Sequence, residues 1–83
     1  KVIATIPVGK NPRDIVWAPD GRFAYVVNEG SNNVSVIDAG TNQVTATIPT
    51  GGSPSSIAVL PSGMEAYVAN LDTGTVTVLE LAD

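Results

Sequence analysis

The segments APDGRFAYVVN (residues 18–28) and LPSGMEAYVAN (residues 60–70) determine the architecture of this chain, because they are two copies of one pattern. In each copy, Pro and Gly mark a tight turn between two runs rich in Val, Ala and aromatic residues, as in a β-hairpin. The copies stand 42 residues apart, and the similarity extends outward at that spacing without an insertion. Residues 1–83 therefore form one tandem-repeat segment, with repeat 1 at residues 2–43 and repeat 2 at residues 44–83.

Turn residues divide each repeat into short runs dominated by Val, Ile, Thr and aromatic residues, which favour strands. The runs predict strands at residues 2–6, 14–18, 23–28, 33–38, 43–48, 56–60, 65–70 and 75–80. A period of about 40 residues with four strands per unit is typical of β-propeller blades. We therefore predict an all-β fold with two four-stranded antiparallel β-propeller blades.

The apolar pattern of the runs predicts how deeply each strand is buried. Residues 14–18 and 23–28 are almost continuously apolar, as in strands covered on both faces. Residues 33–38 and 43–48 alternate apolar with polar side chains, as in half-buried strands. We expect burial to fall along the repeat, with Trp17 packed in the core.

Composition excludes several functions. The net charge of −4 and four scattered basic residues argue against nucleic-acid binding, which requires clustered Lys and Arg. The chain has no Cys and no His, so thiolate metal sites and the usual catalytic triads are excluded. No apolar run reaches the ~20 residues that cross a bilayer. The acidic residues, from Asp14 to Asp83, occur singly, and we predict no metal, cofactor or catalytic residue.

One loop stands out as a candidate site. Lys10, Arg13 and Asp14 belong to the loop that leads into the run at residues 14–18, and at the mouth of a ring they could bind an anion through charge-assisted hydrogen bonds. An Arg13–Asp14 surface pair that fixes the loop is the alternative interpretation. Asn28 and Asn70 end their strands, where we expect them to bond the local backbone and begin turns.

The motifs YVVN (residues 25–28) and YVAN (residues 67–70) resemble the YVTN repeat of surface-layer-type β-propellers, with Val27 and Ala69 in place of its Thr. The resemblance implies antiparallel blades in a ring, and an extracellular, cell-surface or periplasmic location. We expect a non-enzymatic scaffold, or a module that recognises proteins or small ligands at the ring mouth. The alternatives are an engineered or excised piece, or a fragment of a larger propeller with lactonase-like, quinoprotein or haem-associated activity.

The family's strand order makes residues 14–18 innermost and residues 43–48 outermost. Residues 2–6 are then an outermost strand without a blade, and the second blade lacks its outermost strand. We expect this strand of one chain to pair beside the third strand of the next chain's second blade, by strand addition. The paired residues are Val2, Ile3, Ala4, Thr5 and Ile6 with Thr75, Val76, Thr77, Val78, Leu79 and Glu80. Rings of six blades (a homotrimer) or eight (a homotetramer) follow.

Overall fold

The computed structural model describes residues 1–81, which fold into two antiparallel sheets, so the all-β prediction is confirmed. The first sheet, blade 1, contains β1 (Pro12–Trp17), β2 (Phe23–Asn28), β3 (Asn33–Asp38) and β4 (Gln43–Pro49), in that order across the sheet. The second sheet, blade 2, contains β5 (Pro54–Val59), β6 (Glu65–Asn70) and β7 (Thr75–Glu80). Residues 82 and 83 of repeat 2, including Asp83, lie outside the described residues.

The innermost pair of strands in each blade is joined by the predicted tight turn. The Gly21 N–H donates to the carbonyl of Ala18 at 2.9 Å, and the Gly63 N–H donates to that of Leu60 at 2.8 Å. Both glycines adopt a φ of +75°, which costs residues with a Cβ extra energy. The Pro-Gly signals therefore placed both hairpins correctly.

The main core lies between the blades, and it joins two different faces. We call the side chains of blade 1 that point into it the back face: Tyr25, Val27, Val34 and Val36. We call the side chains of blade 2 that meet them the front face: Ile57, Ala66, Val68 and Leu79. All eight are buried, so back-to-front packing holds the two sheets together.

The opposite faces of the two blades lie outside this core. The front face of blade 1 consists, by the repeat spacing, of Ile15, Ala24, Val26 and Ile37; Ile6 and Val8 pack on the last three of these. The back face of blade 2 consists of Tyr67, Ala69, Val76 and Val78, and it is exposed. Each blade thus buries one face against the other blade, while the second face is exposed in blade 2 and partly covered by Ile6 and Val8 in blade 1.

Two expectations about the strands differ from the structure. Residues 2–6 form no strand in the single chain, and Val2 and Ile3 are exposed, because a strand requires a hydrogen-bonded partner. Blade 2 accordingly has three strands among the described residues, and strand exchange stays a prediction.

The expected burial of β1 is wrong for the single chain. Trp17 is 56% exposed and Ile15 is also exposed, whereas β2 and β3 are the buried strands of blade 1. Ile15 belongs to the front face of blade 1, and Trp17 lies two residues further along the same side of β1; within residues 1–81 no blade packs on that side. No helix within residues 1–81 is long and apolar enough to span a membrane.

Candidate functional site

The candidate loop lies at the starting end of β1 and is tied to the β2–β3 connection. The Glu29 N–H donates to the Asn11 carbonyl at 2.9 Å, and the Gly30 N–H donates to the Lys10 carbonyl at 3.0 Å. The Lys10 N–H donates to the Ser31 hydroxyl at 2.7 Å. Residues 10–14 and 29–31 therefore form one supported edge, which we call the blade-1 rim.

Arg13 contacts a different acid from the one we expected. Its guanidinium Nη1 lies 3.5 Å from Oε1 of Glu29, so the predicted Arg13–Asp14 pair is wrong. The Arg13 side chain is 55% exposed, and a guanidinium has five N–H donors, of which this contact engages one. Arg13 is therefore held by one contact at 3.5 Å and remains largely open to solvent.

Asp14 connects the two blades. Its Oδ1 accepts a hydrogen bond from the N–H of Ile15 at 2.9 Å, and its Oδ2 accepts one from the N–H of Ile57 at 3.2 Å. Because Ile57 belongs to β5, the carboxylate joins the innermost strands of blades 1 and 2. Lys10, Arg13 and Asp14 all lie on the blade-1 rim, where Asp14 bonds across to blade 2, and their place at the mouth of a ring stays a prediction.

The two Asn residues of the repeat motif are buried, and their partners are side chains. Nδ2 of Asn28 donates to Oδ1 of Asn33 at 2.9 Å and to Oγ of Ser35 at 2.8 Å. Nδ2 of Asn70 donates to the hydroxyls of Thr75 at 3.2 Å and Thr77 at 2.7 Å. The expected bonds to local backbone are replaced by bonds to the next strand.

A glycine covers each of these carboxamides at close range. A Cβ on Gly9 would stand 2.8 Å from Asn28, and a Cβ on Gly51 would stand 2.9 Å from Nδ2 of Asn70. Only glycine allows this approach. The Oδ1 atoms of both Asn residues are buried and have no hydrogen-bond partner among the described residues. Each Asn side chain is therefore enclosed between a glycine and the neighbouring strand of its own blade.

The rim continues into blade 2 through Asn32, which sequence reasoning missed. Asn32 adopts a φ of +55°, its Oδ1 accepts the Ser53 N–H at 2.9 Å, and its carbonyl accepts the Thr50 N–H at 3.0 Å. In blade 2 the Ser53 hydroxyl donates to Oδ2 of Asp72 at 2.8 Å. The sequence did contain a signal for this contact, namely an Asn between two predicted strands, because Asn tolerates the left-handed region that such a turn uses.

The rim is charged, but its described residues form no metal site. Lys10 and Arg13 supply positive charge, and Glu29 and Asp72 supply negative charge. Within residues 1–81, no three acidic, His or Cys side chains come together as metal ligands. Lys10 is exposed and the Arg13 side chain is 55% exposed on this rim, and anion binding by them stays a prediction.

Comparison with known proteins finds several similar chains. The chain is 46% identical over 48 residues to a seven-bladed β-propeller protein of Mycobacterium tuberculosis, which covers 54% of this chain and 12% of that protein. It superimposes on a chain of the Kuenenia stuttgartiensis hydrazine synthase with a TM-score of 0.91 and 35% identity, over 96% of this chain and 23% of that one.

A third relative carries an enzyme name. A candidate 6-phosphogluconolactonase of Bacteroides fragilis matches with a TM-score of 0.71 and 27% identity, over 82% of this chain and 20% of that one. The chain spans 9% to 12% of the length of the two curated relatives it matches. These relatives share the propeller fold predicted from the repeat.

The family model that matches describes an enzyme. It is the model for "Lactonase, 7-bladed beta-propeller", and it matches residues 1–49, which include all of blade 1. The expectation that this chain is not an enzyme is therefore contradicted, since composition and missing triads do not exclude lactonase chemistry. The resemblance to surface-layer repeats is supported only at the level of the propeller fold. The chain belongs to the lactonase family with a seven-bladed β-propeller.

Proposed function

We propose that this chain supplies two consecutive blades of a lactonase-type propeller, with the blade-1 rim at the end of the ring that binds substrate. The match of the family model across residues 1–49 carries the proposal, because it contains the whole rim. Two blades cover only part of a seven-bladed ring. The complete active site therefore also requires the blades that close the ring.

The chemistry of the rim favours an anionic lactone. Hydrolysis of a lactone adds water across a cyclic ester, and a phosphorylated sugar lactone carries negative charge beside that ester. Arg13 presents a planar set of N–H donors that matches phosphate or carboxylate oxygens. Lys10 is exposed on the same rim and adds a second positive charge. We assign these two residues to substrate binding and Glu29 to the positioning of Arg13.

The proposal is tested by measuring lactone hydrolysis above the spontaneous rate. Acid release from 6-phosphogluconolactone and from the neutral gluconolactone is followed in a pH-stat, with protein shown to be folded by circular dichroism. We expect a complete seven-bladed ring that contains these two blades to accelerate hydrolysis. In the Arg13→Ser variant we expect KM for the phosphorylated lactone to rise, and KM for the neutral lactone to change little.

The matched control is Arg22→Ser. Arg22 is an exposed arginine at the opposite end of blade 1, where its guanidinium lies 5.5 Å from the Phe23 ring centroid. This variant should keep the parent KM for both lactones. A rate equal to that of buffer alone for folded protein would contradict the proposed function. An equal change of KM in both Arg variants would contradict the assignment of Arg13.

A second candidate function is a propeller subunit within a larger enzyme. The superposition on hydrazine synthase over 96% of this chain favours it, as does the 44% identity to the β subunit of that enzyme over 36 residues. In that case lactone hydrolysis would be absent, and the chain would co-purify with other subunits of an enzyme.

The location of the protein is also a proposal. The resemblance of YVVN and YVAN to surface-layer repeats supports a position outside the cytoplasm, at the cell surface or in the periplasm. Cell fractionation with detection of the native chain tests it. Recovery only with cytoplasmic markers would contradict it.

A further inference from the structure

We propose that the cavity between the β1–β2 turn (residues 18–22) and the β5–β6 turn (residues 60–64) binds a small organic cation, namely a protonated amine with a short apolar chain. The cavity lies at the end of blade 1 opposite to the blade-1 rim, so the inference goes beyond the lactonase function. Three observations support it: the lining of the cavity, the charge of Asp20 in its wall, and a difference between the two repeats at the same positions.

The cavity is bounded by the two turns and by the start of β2. Its volume is about 310 Å³, at the lower end of the range of small-molecule sites. A Cβ built on Gly63 would lie 3.4 Å from Cδ of Pro19, so the two turns approach each other closely beside the cavity. Both blades therefore contribute to one site with room for a small ligand. The wall consists of Ala18, Pro19, Asp20, Phe23, Tyr25, Ser62, Gly63 and Leu81.

The wall combines aromatic rings with a small number of polar groups. Phe23 and Tyr25 are two residues apart on β2, so their side chains point to the same side of the sheet. Ser62 supplies a hydroxyl from the turn of blade 2. Among the lining residues within 1–81, Asp20 is the only charged one. A mainly apolar wall with a few polar groups is typical of a site that binds a small molecule.

Asp20 gives the cavity a negative charge. Its Oδ1 accepts the N–H of Arg22 at 3.0 Å, which holds the carboxylate in the turn. Burial raises the pKa of the Tyr25 phenol, and the negative charge of Asp20 raises it further, so this charge acts on the aromatic part of the wall. The phenol is neutral at physiological pH and leaves the charge of Asp20 uncompensated inside the cavity. An ammonium group is attracted to such a wall, and an anion is repelled.

The ring of Phe23 already attracts a cation. The Cζ atom of the Arg22 guanidinium lies 5.5 Å from the centroid of this ring, within the range of a cation–π interaction. Arg22 itself is exposed and does not line the cavity. An ammonium ion in the cavity gains the same kind of contact with the aromatic wall and lies beside the Asp20 carboxylate.

Repeat 2 lacks this combination of side chains. Ser62 stands at the position of Asp20, and Glu65 stands at the position of Phe23. Both repeats nevertheless form the same turn, and the Ser62 hydroxyl accepts the N–H of Met64 at 3.3 Å as Asp20 accepts its own local N–H. The turn therefore requires neither an acid nor an aromatic ring, and these two side chains are available for a ligand.

Isothermal titration calorimetry of the complete ring that contains these two blades tests the proposal. The probes are n-butylammonium, n-butanol and pentanoate, which share a butyl chain and differ in charge. We expect n-butylammonium to bind about tenfold more tightly than n-butanol, and pentanoate not to bind. No binding of n-butylammonium, or an n-butanol affinity that equals or exceeds that of n-butylammonium, would overturn the proposal.

The variant Asp20→Ser tests the source of the attraction. It gives repeat 1 the residue that repeat 2 has at this position, where a Ser hydroxyl supports the same turn, so folding should be retained. We expect the affinity for n-butylammonium to fall by about fivefold, because one ion pair is lost, and the affinity for n-butanol to stay unchanged.

The matched control is Asp72→Asn. It removes one negative charge in the loop after β6, at the other end of the blades, where the Asp72 carboxylate accepts the Ser53 hydroxyl. This variant should keep the parent affinity for n-butylammonium. Equal losses in Asp20→Ser and Asp72→Asn would show a general effect of net charge and would overturn the assignment to this cavity.

The variant Phe23→Leu tests the aromatic wall. It keeps an apolar side chain but removes the ring, so we expect n-butylammonium to lose about threefold in affinity and n-butanol to lose less. Circular dichroism confirms that the variant is folded. An unchanged ratio of the two affinities would contradict the part assigned to Phe23. These results do not depend on lactone hydrolysis, because the assigned rim residues lie at the opposite end of blade 1.

Discussion

Blades 1 and 2 have closely similar sequences but opposite exposures on the same face. Val34 in blade 1 is 0% exposed, whereas its equivalent Val76 in blade 2 is 60% exposed. Tyr25 is 5% exposed and its equivalent Tyr67 is 43% exposed. The repeat thus determines which side chains point to the back face, but a neighbouring blade determines whether they are buried.

The difference in burial between the blades is tested most directly by shortening the same side chain in both. Val34→Ala should lower the free energy of unfolding by about 2 kcal/mol, because it removes buried methyl groups and leaves a cavity. Val76→Ala should change it by less than about 0.5 kcal/mol in the monomer, because the site is open to water. Urea unfolding of dilute protein measures both, and equal losses would contradict the difference in burial.

A smaller difference is expected at the glycines that cover the buried Asn residues. Gly51→Ala should destabilise the chain by about 1.5 kcal/mol, because its Cβ presses on Asn70 and Gly51 is held between β4 and β5. Gly9→Ala should cost less, because the residues before Gly9 are in no strand and can shift. Thermal unfolding of the two variants gives the comparison, and a larger loss for Gly9→Ala would reverse it.

The smallest effect is expected from Tyr25, and only at high pH. Burial raises the pKa of the Tyr25 phenol above its usual value of 10.0, and the nearby charge of Asp20 raises it further. Above about pH 10 the unfolded chain loses this proton while the folded chain keeps it, so stability falls as the pH rises. The effect is complete once the pH passes the raised pKa, and it is absent at neutral pH.

Denaturant unfolding between neutral pH and the alkaline range measures this effect in three proteins. Tyr25→Phe should show a smaller alkaline loss of stability than the parent chain. Tyr67→Phe removes the equivalent phenol from the exposed face of blade 2 and should follow the parent. Identical profiles for the parent and Tyr25→Phe would show that the phenol does not contribute.

Most of the strand pattern was readable from sequence, because it depends on local features. The runs at residues 23–28, 33–38, 65–70 and 75–80 have the bounds that were predicted, since β-favouring residues there end at clear turn signals. Residues 2–6 carry nearly the same pattern as residues 44–48, yet only the latter form a strand. A sequence pattern indicates that a segment can pair, but it does not supply the partner.

The sequence predicted where the rim residues lie along the chain, but it did not predict which residues they contact. Lys10 precedes β1, and Arg13 and Asp14 stand in its first three residues, close to the loop position expected from the sequence. The Arg13–Glu29 contact and the Asp14–Ile57 hydrogen bond join residues that are distant in sequence. Such pairs depend on how loops and blades meet, and local sequence rules carry no information about them.

The back-to-front junction between the blades has a consequence for how such proteins change in length. Every blade offers one face of each kind, so duplication of a 42-residue unit introduces another junction of the same kind and no new type of interface. Unequal recombination within the gene can therefore add or remove a whole blade, and natural selection then acts on ring size separately from the packing of each blade.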